Sequence, residues 1–382
     1  MRITIVQGAF FPVPALIGGA VEKVWDALGK EFSRRGHDVT HVSRQFPGLP
    51  LRELSRGVTH IRVQGFDAPA SRWRLKVLDL VYSVRVLRRL PPADILVTNT
   101  FWLPILVRDH RLGQTYVHVA RYPKGQMRFY GRAARLQTVT RAVADAIEIE
   151  APRLRSRVRV IPYPMIENGT CEPLSNPRGG IEKHMLFVGR VHPEKGLALL
   201  LQAMAIIPRE NIAGWRLVIV GPAEARYGGG GETFLSHLKK LAEPIADRID
   251  WIGPIFAPAA LADFYRRSSL FVYPSLAEFG ETFGLAPLEA MSHGCPPLVS
   301  DLHCFRDYLH DGLNGFVFDH RAVDATTRLA RRIEECIGDP QALRRTGQSA
   351  RATAQGYTVR HVGDAFLRDF KSVLEESSAH HS

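Results

Sequence analysis

Two cations stand close together in the segment VGRVHPEKG at 188–196, between an apolar run and a helix-like run. Arg190 and Lys195 can share one loop, and two cations on one loop can neutralise a diphosphate through charge-assisted hydrogen bonds of roughly 1.5–3 kcal/mol each. In many proteins such a pair is only a solvated charged turn. The segment is therefore a candidate anion site, and its role depends on its surroundings.

A second candidate anion site is the segment PSLAEFGETFGLAPLEAMSHG at 274–294. Gly284 precedes a predicted helix in which Pro287 takes the first helical position and Gly294 marks the end. Free backbone N–H groups at 284–286 would then form a helix N-terminus, which favours anions.

Two carboxylates accompany this predicted helix. Glu281 lies on the loop in front of it, and Glu289 falls in its expected first turn. Carboxylates at these places can accept hydrogen bonds from the vicinal hydroxyls of a ribose and a sugar. Taken alone, Glu289 also fits a capping role, and Glu281 also fits a merely exposed position.

Two loops of the first half also follow strand-like runs. Gly18 and Gly19 directly precede a helix and allow a ligand to approach the backbone, although a glycine pair is a weak signal. Another loop begins at His118, which at a strand end is structural in most proteins. It contains five cations and no acid: Arg121, Lys124, Arg128, Arg132 and Arg135. Such a cluster suits an anionic acceptor.

The elements around these loops predict an α/β fold with mostly parallel sheets. Short apolar runs such as ITIVQG and DVTHVS alternate with helical periodicity, and the same alternation restarts at HMLFVG in the second half. The proline-rich segment between the two halves predicts a linker at 166–180. We therefore expect one domain at 1–165, a second at 181–356, and a C-terminal helix at 357–382 that packs back on the first domain.

Charge divides the chain unevenly. Residues 1–165 contain 27 Lys and Arg against 12 Asp and Glu, whereas residues 166–382 contain 23 against 26. The first half is thus expected to face an anionic partner, unless its arginines are only a solvated surface. The four cysteines lack paired spacing and predict reduced thiols in a cytoplasmic protein. No apolar run is long enough for a membrane span, which leaves peripheral contact at the inner face of the membrane.

Several blocks of the chain resemble family 4 of the retaining, nucleotide-sugar-dependent glycosyltransferases, the glycosyl transferases group 1. The blocks are GGAVEKVWDALGKEFSRRGHDVTHVS, FVGRVHPEKGLALLLQAM, LVIVG, and PSLAEFGETFGLAPLEAMSHGCPPLVS followed by DGLNGFVFD. The resemblance extends over nearly the whole chain and implies the GT-B architecture of two facing Rossmann-like domains. Glu281 and Glu289 have the family's E-x7-E spacing, with Glu278 as a rival for the first position.

The resemblance also implies roles for individual residues. The expected catalytic residues are Arg190, Lys195, Glu281 and His118. The expected donor-binding residues are Gly19, Gly189, Ile252, Pro254, Phe283, Gly284, Leu285, Ala286 and Glu289. The expected acceptor-binding residues are Arg121, Lys124 and Arg128.

The implied reaction is transfer of a hexose-type sugar from a nucleotide diphosphate sugar to a hydroxyl acceptor, such as an anionic or lipid-linked cell-envelope glycan. The co-substrate is expected to be a UDP-sugar or a GDP-sugar, with UDP as the first choice. No cofactor is expected, and no metal, because the two cations and the helix N-terminus can stabilise the leaving diphosphate.

The sequence leaves three other interpretations open. A nucleotide-sugar 2-epimerase or a sugar phosphorylase would use the same fold. A nucleic-acid-binding protein would explain the basic half, but the cations are not interleaved with stacking aromatic residues, so no nucleic acid is expected. A basic helix would dock on anionic lipid or its diphosphate-linked glycan. Its cations are Arg72, Arg74, Lys76, Arg85, Arg88 and Arg89.

Overall fold

The structure is a computed structural model that describes residues 1–17, 19–69, 71–166 and 182–379. The chain divides into two compact units, Met1–Ile166 with Tyr357–Ser382, and Glu167–Gly356. The domain boundaries expected at 165 and 357 lie within one residue of these divisions. The linker expected at 166–180 lies outside the described residues except for Ile166.

The first unit is built on an eight-stranded sheet. Its strands are β1 Arg2–Val6, β2 Asp38–Arg44, β3 Arg52–Ser55, β4 Val58–Val63, β5 Ile95–Thr98, β6 Gln114–Val119, β7 Arg135–Thr138 and β8 Val158–Val160. The strand order is β3-β4-β2-β1-β5-β6-β7-β8. All neighbours are parallel except β3 and β4. The hairpin of β3 and β4 was not predicted from the sequence.

Helices join these parallel strands. They are α1 Ala20–Arg34, α2 Arg72–Leu87, the single turn α3 Leu103–Leu106, and α4 Arg141–Glu150. The buried face of α1 carries apolar residues three and four positions apart: Trp25, Leu28 and Phe32 are at most 1% exposed. Because β1 is central and lies between β2 and β5, its residues 3–6 are buried, which explains the largely apolar run there.

The second unit repeats this plan with a six-stranded parallel sheet. Its strands are β9 Glu182–Val188, β10 Arg216–Val220, β11 Ile249–Gly253, β12 Ser268–Tyr273, β13 Pro297–Ser300 and β14 Phe316–Phe318. Its helices are α5 Leu197–Ile206, α6 Gly231–Leu241, α7 Pro258–Arg267, α8 Leu285–Ser292, α9 Ala325–Gly338 and α10 Pro340–Ala354. The strand order is β11-β10-β9-β12-β13-β14, so β9 and β12 are neighbours at the centre. The loops that leave these two strands therefore begin side by side at one edge of the sheet.

The chain then returns to the first unit through α11, Val359–Ala379. Phe366 packs on Trp25 of α1 with ring centres 5.0 Å apart, and Phe370 packs on Phe32 at 5.8 Å. Tyr116 of β6 donates a hydrogen bond to Asp369 at 2.7 Å. Apolar contacts and buried polar bonds thus fix α11 on the first unit.

Candidate functional site

The segment 189–196 begins with Gly189, directly after β9, and ends where α5 starts. Gly196 adopts a left-handed φ of 70°, and a side chain there would overlap the carbonyl of Pro274. Only glycine allows two backbones to approach so closely in that conformation. This contact places the loop of Lys195 against the loop that follows β12.

Lys195 is 8% exposed between these two loops. Its Nζ lies 2.7 Å from Oε2 of Glu281, and Tyr273 donates a hydrogen bond from its hydroxyl to the same oxygen at 2.9 Å. The Lys195 ammonium also lies 5.3 Å from the centre of the Tyr273 ring. The ion pair neutralises Lys195, so an entering anion must compete with Glu281 for this cation.

Arg190 lies on the same loop but has other partners. One Nη donates to Oε1 of Glu194 at 2.6 Å, and the other donates to the carbonyl of Gly228 at 2.8 Å. Glu194 in turn accepts a hydrogen bond from the backbone N–H of Leu276 through its own carbonyl at 2.8 Å. The structure therefore joins Arg190 to the 274–281 loop through Glu194, and of these two cations Lys195 is the one that contacts Glu281 directly.

The helix α8 starts two residues earlier than predicted. Gly284 is its N-cap, with a φ of 79°, and Leu285 is its first residue. Pro287 is therefore the third helical residue, where its missing N–H also leaves no intrahelical bond unmade. Glu289 is the fifth residue and lies in the second turn, which corrects its expected place in the first. The first N–H groups of α8, at Leu285 and Ala286, lie where the sequence places an anion site.

The start of α8 is held in place by aromatic residues. Phe283 is 2% exposed and packs on Tyr308 with ring centres 5.4 Å apart. The Tyr308 hydroxyl donates to the carbonyl of Gly284 at 2.9 Å. Farther along the helix, Glu289 accepts a hydrogen bond from the Tyr265 hydroxyl at 3.2 Å. Buried side chains thus fix both the helix start and Glu289.

The rival carboxylate Glu278 faces a different set of groups. Arg321 lies 2.7 Å from its Oε1, and His320 Nε2 lies 2.8 Å from the same oxygen. Burial acts to raise the pKa of Glu278, but the hydrogen bonds from Arg321 and His320 lower it overall. The structure thus places Glu281, and not Glu278, beside Lys195.

The predicted base-contacting residues lie at the end of β11 and directly after it. Ile252 is 44% exposed, and Pro254 is exposed. Sequence reasoning missed two aromatic residues nearby: Phe256 is 68% exposed and contacts Tyr227 with ring centres 5.3 Å apart. Tyr227 directly precedes Gly228, whose carbonyl accepts from Arg190. An exposed aromatic pair therefore adjoins the Arg190 loop. The sequence contains no signal of this pair, because its two members lie in separate loops.

In the first unit, His118 lies inside β6 and not in the loop after it. It is 3% exposed, its Nδ1 lies 2.6 Å from Oε1 of Gln137, and its Nε2 lies 3.1 Å from the Tyr163 hydroxyl. Burial lowers the pKa of His118 to about 4, although the hydrogen bond with Gln137 acts in the opposite direction. The ring is thus uncharged at neutral pH, and its contact with a donor sugar stays a prediction.

Gly19 forms the N-cap of α1, while Gly18 lies outside the described residues. A side chain at Gly19 would overlap the carboxylate of Glu22, which is 6% exposed. Burial raises the pKa of Glu22, and its own backbone N–H and the charge of Arg121 act against that rise. A carboxylate of this chain therefore already lies at the α1 N-terminus, beside the glycine to which the resemblance assigns donor binding.

The expected acceptor residues Arg121, Lys124 and Arg128 are all exposed. Their loop is held by Glu150, which accepts hydrogen bonds from the backbone N–H groups of Gly125 and Met127 at 2.6 Å each. The cluster therefore lacks acids in sequence but not in space.

Arg135 does not belong to this exposed group. It is 2% exposed, and its guanidinium bonds to Asp369 at 3.2 Å and to Oε2 of Glu376 at 2.8 Å, both on α11. Its expected place in an anion-binding cluster is wrong, because it holds α11 to the sheet instead.

Within the described ranges, no three His, Cys, Asp or Glu side chains gather as a metal site. No helix in that part of the chain combines the length and apolarity needed to cross a membrane.

The chain resembles known proteins both in sequence and in structure. D-inositol 3-phosphate glycosyltransferase of Gordonia bronchialis is 31% identical over 204 residues, which are 52% of this chain and 42% of that protein. Across four relatives of this name the match spans 41–66% of their lengths, so the chain spans less than two thirds of them.

Solved structures match almost the whole chain. Sucrose-phosphate synthase of Thermosynechococcus elongatus aligns with a TM-score of 0.74 at 18% identity, covering 98% of this chain and all of that one. HepE of Anabaena in complex with UDP-glucose aligns with a TM-score of 0.71 at 18% identity, covering 97% and 100%. The expected fold class is confirmed: the two parallel-sheet α/β domains match those of GT-B glycosyltransferases.

A family profile locates the relationship within the chain. Residues 175–353 match the family Glycosyl transferases group 1. This range contains Arg190, Lys195, Glu281 and Glu289, together with the α8 helix that follows their loop. The second unit therefore carries a domain of the group 1 glycosyltransferases.

Proposed function

We propose that the protein is a retaining glycosyltransferase that moves a hexose-type sugar from a nucleotide diphosphate sugar to a hydroxyl acceptor without a metal ion. The observation that carries this proposal is the contact of Lys195 with Glu281 in front of α8, inside a domain of the group 1 glycosyltransferases. It puts a cation for phosphate, a carboxylate for sugar hydroxyls and a helix N-terminus on adjoining loops.

The chemistry follows from the charge that develops on the leaving group. Breaking the bond between the anomeric carbon and the diphosphate leaves negative charge on the phosphate oxygens. Lys195, Arg190 and the first N–H groups of α8 stabilise that charge more in the transition state than in the bound donor. Lys195 must exchange Glu281 for phosphate, which releases the Glu281 carboxylate to accept hydrogen bonds from the sugar.

The nucleotide is assigned to the part of the second unit formed by Glu289 and the end of β11. Glu289 accepts hydrogen bonds from the ribose, and the base lies beside Ile252 to Pro254, with Phe256 and Tyr227 as its aromatic neighbours. Stacking on an aromatic side chain stabilises a bound base by roughly 1–3 kcal/mol. UDP is the first choice of nucleotide, supported by the UDP-glucose complex of the structurally similar HepE.

The acceptor is assigned to the first unit and is anionic. Arg121, Lys124 and Arg128 are exposed cations on one loop, and charge-assisted bonds from them would hold a phosphate or carboxylate. The relatives named for D-inositol 3-phosphate act on a phosphorylated molecule by name, which supports an acceptor of this charge.

Peripheral membrane contact is a further part of the proposal, and α2 supplies the surface. Trp73, Val77 and Val81, at i, i+4 and i+8, are 73%, 44% and 38% exposed. Exposed Arg74 and Lys76 flank this apolar stripe. An apolar stripe with cations on both sides fits the surface of an anionic bilayer. Loss of sedimentation with phosphatidylglycerol vesicles in Trp73→Ala and Arg74→Ala, compared with wild type, tests this contact.

The activity itself is tested by ligand-induced stabilisation followed by product analysis. UDP, GDP, UDP-glucose, UDP-galactose and GDP-mannose are added in turn, and a ligand at 100 times its Kd should stabilise the fold by about 2.7 kcal/mol. The stabilising sugar nucleotide is then supplied in labelled form with phosphorylated polyol and glycolipid acceptors. Label in an acceptor supports transfer, whereas label only in an epimerised donor or a sugar phosphate would replace it with epimerase or phosphorylase activity.

A further inference from the structure

Both carboxylates of the E-x7-E segment accept a hydrogen bond from a buried tyrosine hydroxyl. Tyr273 donates to Glu281 at 2.9 Å, and Tyr265 donates to Glu289 at 3.2 Å. We propose that Tyr273 and Tyr265 are positioning residues that fix the two carboxylates in the orientations needed for the sugar and the ribose. This inference rests on the proposed function, because it assumes that Glu281 binds the sugar and Glu289 binds the ribose.

Tyr273 is held rigidly enough to position its partner. It is the last residue of β12, is 4% exposed, and its ring stacks on Phe271 at 5.9 Å and on Phe187 at 6.1 Å. Its hydroxyl and the Lys195 ammonium meet the same oxygen of Glu281. When Lys195 turns to a phosphate, Tyr273 remains as a neutral donor that keeps Glu281 in place.

Tyr265 has the same kind of support on α7. It is 2% exposed, its ring stacks on His293 at 5.7 Å with an interplanar angle of 11°, and it contacts Phe271 at 5.8 Å. Phe271 therefore contacts both tyrosines. One aromatic cluster beneath the loop supports both hydroxyl donors, and each donor serves one glutamate.

The protonation of the two phenols agrees with a donor role. Burial raises the pKa of Tyr273 well above its ordinary value, and the charge and hydrogen bond of Glu281 add to the rise. Burial and Glu289 raise the pKa of Tyr265 in the same way. Both hydroxyls therefore keep their protons at neutral pH, and each can donate a hydrogen bond to its glutamate.

The two tyrosines should affect different parts of the donor. Tyr265→Phe removes one hydroxyl from the Glu289 side and should weaken UDP binding roughly fivefold, the factor for about 1 kcal/mol. It should also reduce the preference for UDP over 2′-deoxy-UDP. Tyr273→Phe should leave the affinity for UDP within twofold of wild type. It should reduce the additional affinity that the sugar of UDP-glucose or UDP-galactose contributes, again by roughly fivefold.

The experiment is titration calorimetry with UDP, 2′-deoxy-UDP, UDP-glucose and UDP-galactose, and in parallel with GDP and GDP-mannose. It compares wild type, Tyr265→Phe and Tyr273→Phe, and repeats each tyrosine change in a Glu289→Ala or Glu281→Ala background, which removes the acceptor of the tyrosine hydroxyl. A tyrosine that acts through its glutamate adds little once that glutamate is changed. Tyr130→Phe is the matched control, because it too removes a buried tyrosine hydroxyl. That hydroxyl lies in the first unit and donates to the backbone carbonyl of Phe101 at 3.0 Å.

The outcomes separate the two proposals. Wild type that binds none of the nucleotides overturns the proposed function and this inference with it. If wild type binds a nucleotide, two results overturn only the positioning roles. One is a tyrosine effect that simply adds to the effect of the glutamate change, and the other is a tyrosine effect equal to that of Tyr130→Phe. A wild type for which no sugar nucleotide differs in affinity from its bare nucleotide overturns the role of Tyr273.

Discussion

The candidate binding cations of the two units differ in burial and pairing. In the second unit, Lys195 is buried and paired with Glu281, and Arg190 is joined to Glu194. In the first unit, Arg121, Lys124 and Arg128 are exposed. A buried, pre-paired cation favours one ligand in one orientation, whereas exposed cations attract any anion over a longer range and are screened by salt. The comparison therefore predicts a selective donor site and an acceptor surface that depends on charge.

The largest effect is expected from removing the buried cation. Lys195→Ala should lower kcat on the stabilising sugar nucleotide by on the order of 10²-fold or more, because a charge that stabilises the leaving diphosphate is lost from a preorganised site. Steady-state release of the nucleotide measures it, and thermal melting checks that the variant is folded. Lys183→Ala, which removes an exposed lysine of β9, is the control. Near-normal turnover in Lys195→Ala would remove its phosphate role.

A smaller effect is expected from the exposed cations of the first unit. The triple change of Arg121, Lys124 and Arg128 to Ala should raise KM for an anionic acceptor roughly tenfold, with UDP affinity unchanged. Its KM should also depend less on salt than that of wild type. The control is the triple change of Arg331, Arg344 and Arg345, which removes the same charge from exposed positions of the second unit. Equal effects of the two triple changes would show that only net charge matters.

The sequence predicts the strands and loops of both units well because buried parallel strands leave apolar runs that end in glycine-rich loops. The sequence fails to predict the structure where a residue's partner is far away along the chain, or where the backbone conformation has no residue signature. Arg135 looks like part of a local basic cluster, but its partner Asp369 lies 234 residues away. The β3–β4 hairpin turns at Arg56 and Gly57, both with positive φ, and an arginine in that conformation has no sequence signal. Pro287 is compatible with more than one position in the first turn, so it predicted the start of α8 two residues late.

Acid should weaken the first unit through His118. Its pKa is about 4 in the folded protein because of burial, against 6.5 ordinarily, so between these values the unfolded chain binds a proton that the folded chain does not. The free energy of unfolding should therefore fall as pH drops from 6.5 to 4, by about 1 kcal/mol per pH unit from this group. Urea melts of wild type and His118→Gln across that range measure the slope. The slope should shrink in His118→Gln and persist in His361→Gln, which changes an exposed histidine. Equal slopes in all three proteins would place the acid sensitivity elsewhere.

A still smaller effect is expected at the exposed aromatic pair of the second unit. Phe256→Ala should weaken UDP binding by about fivefold or less, since one solvent-facing ring contributes only part of the stacking on a base. Calorimetry with UDP measures the affinity. Phe279→Ala, which removes another exposed phenylalanine of the same unit, is the control. Unchanged UDP affinity in Phe256→Ala would move the base away from this pair and leave Ile252 and Pro254 as its neighbours.

The smallest effect is expected from metal removal. If Lys195, Arg190 and the α8 N-terminus supply the positive charge for the leaving diphosphate, dialysis against EDTA should change turnover less than twofold, because these groups are covalent parts of the chain. Turnover before dialysis, after dialysis, and after addition of Mg²⁺ or Mn²⁺ measures this. A loss of activity that either metal restores would show that the cations of the chain are insufficient. The preference for a buried, pre-paired lysine in the second unit would then reflect positioning of the donor and not stabilisation of its departing phosphate.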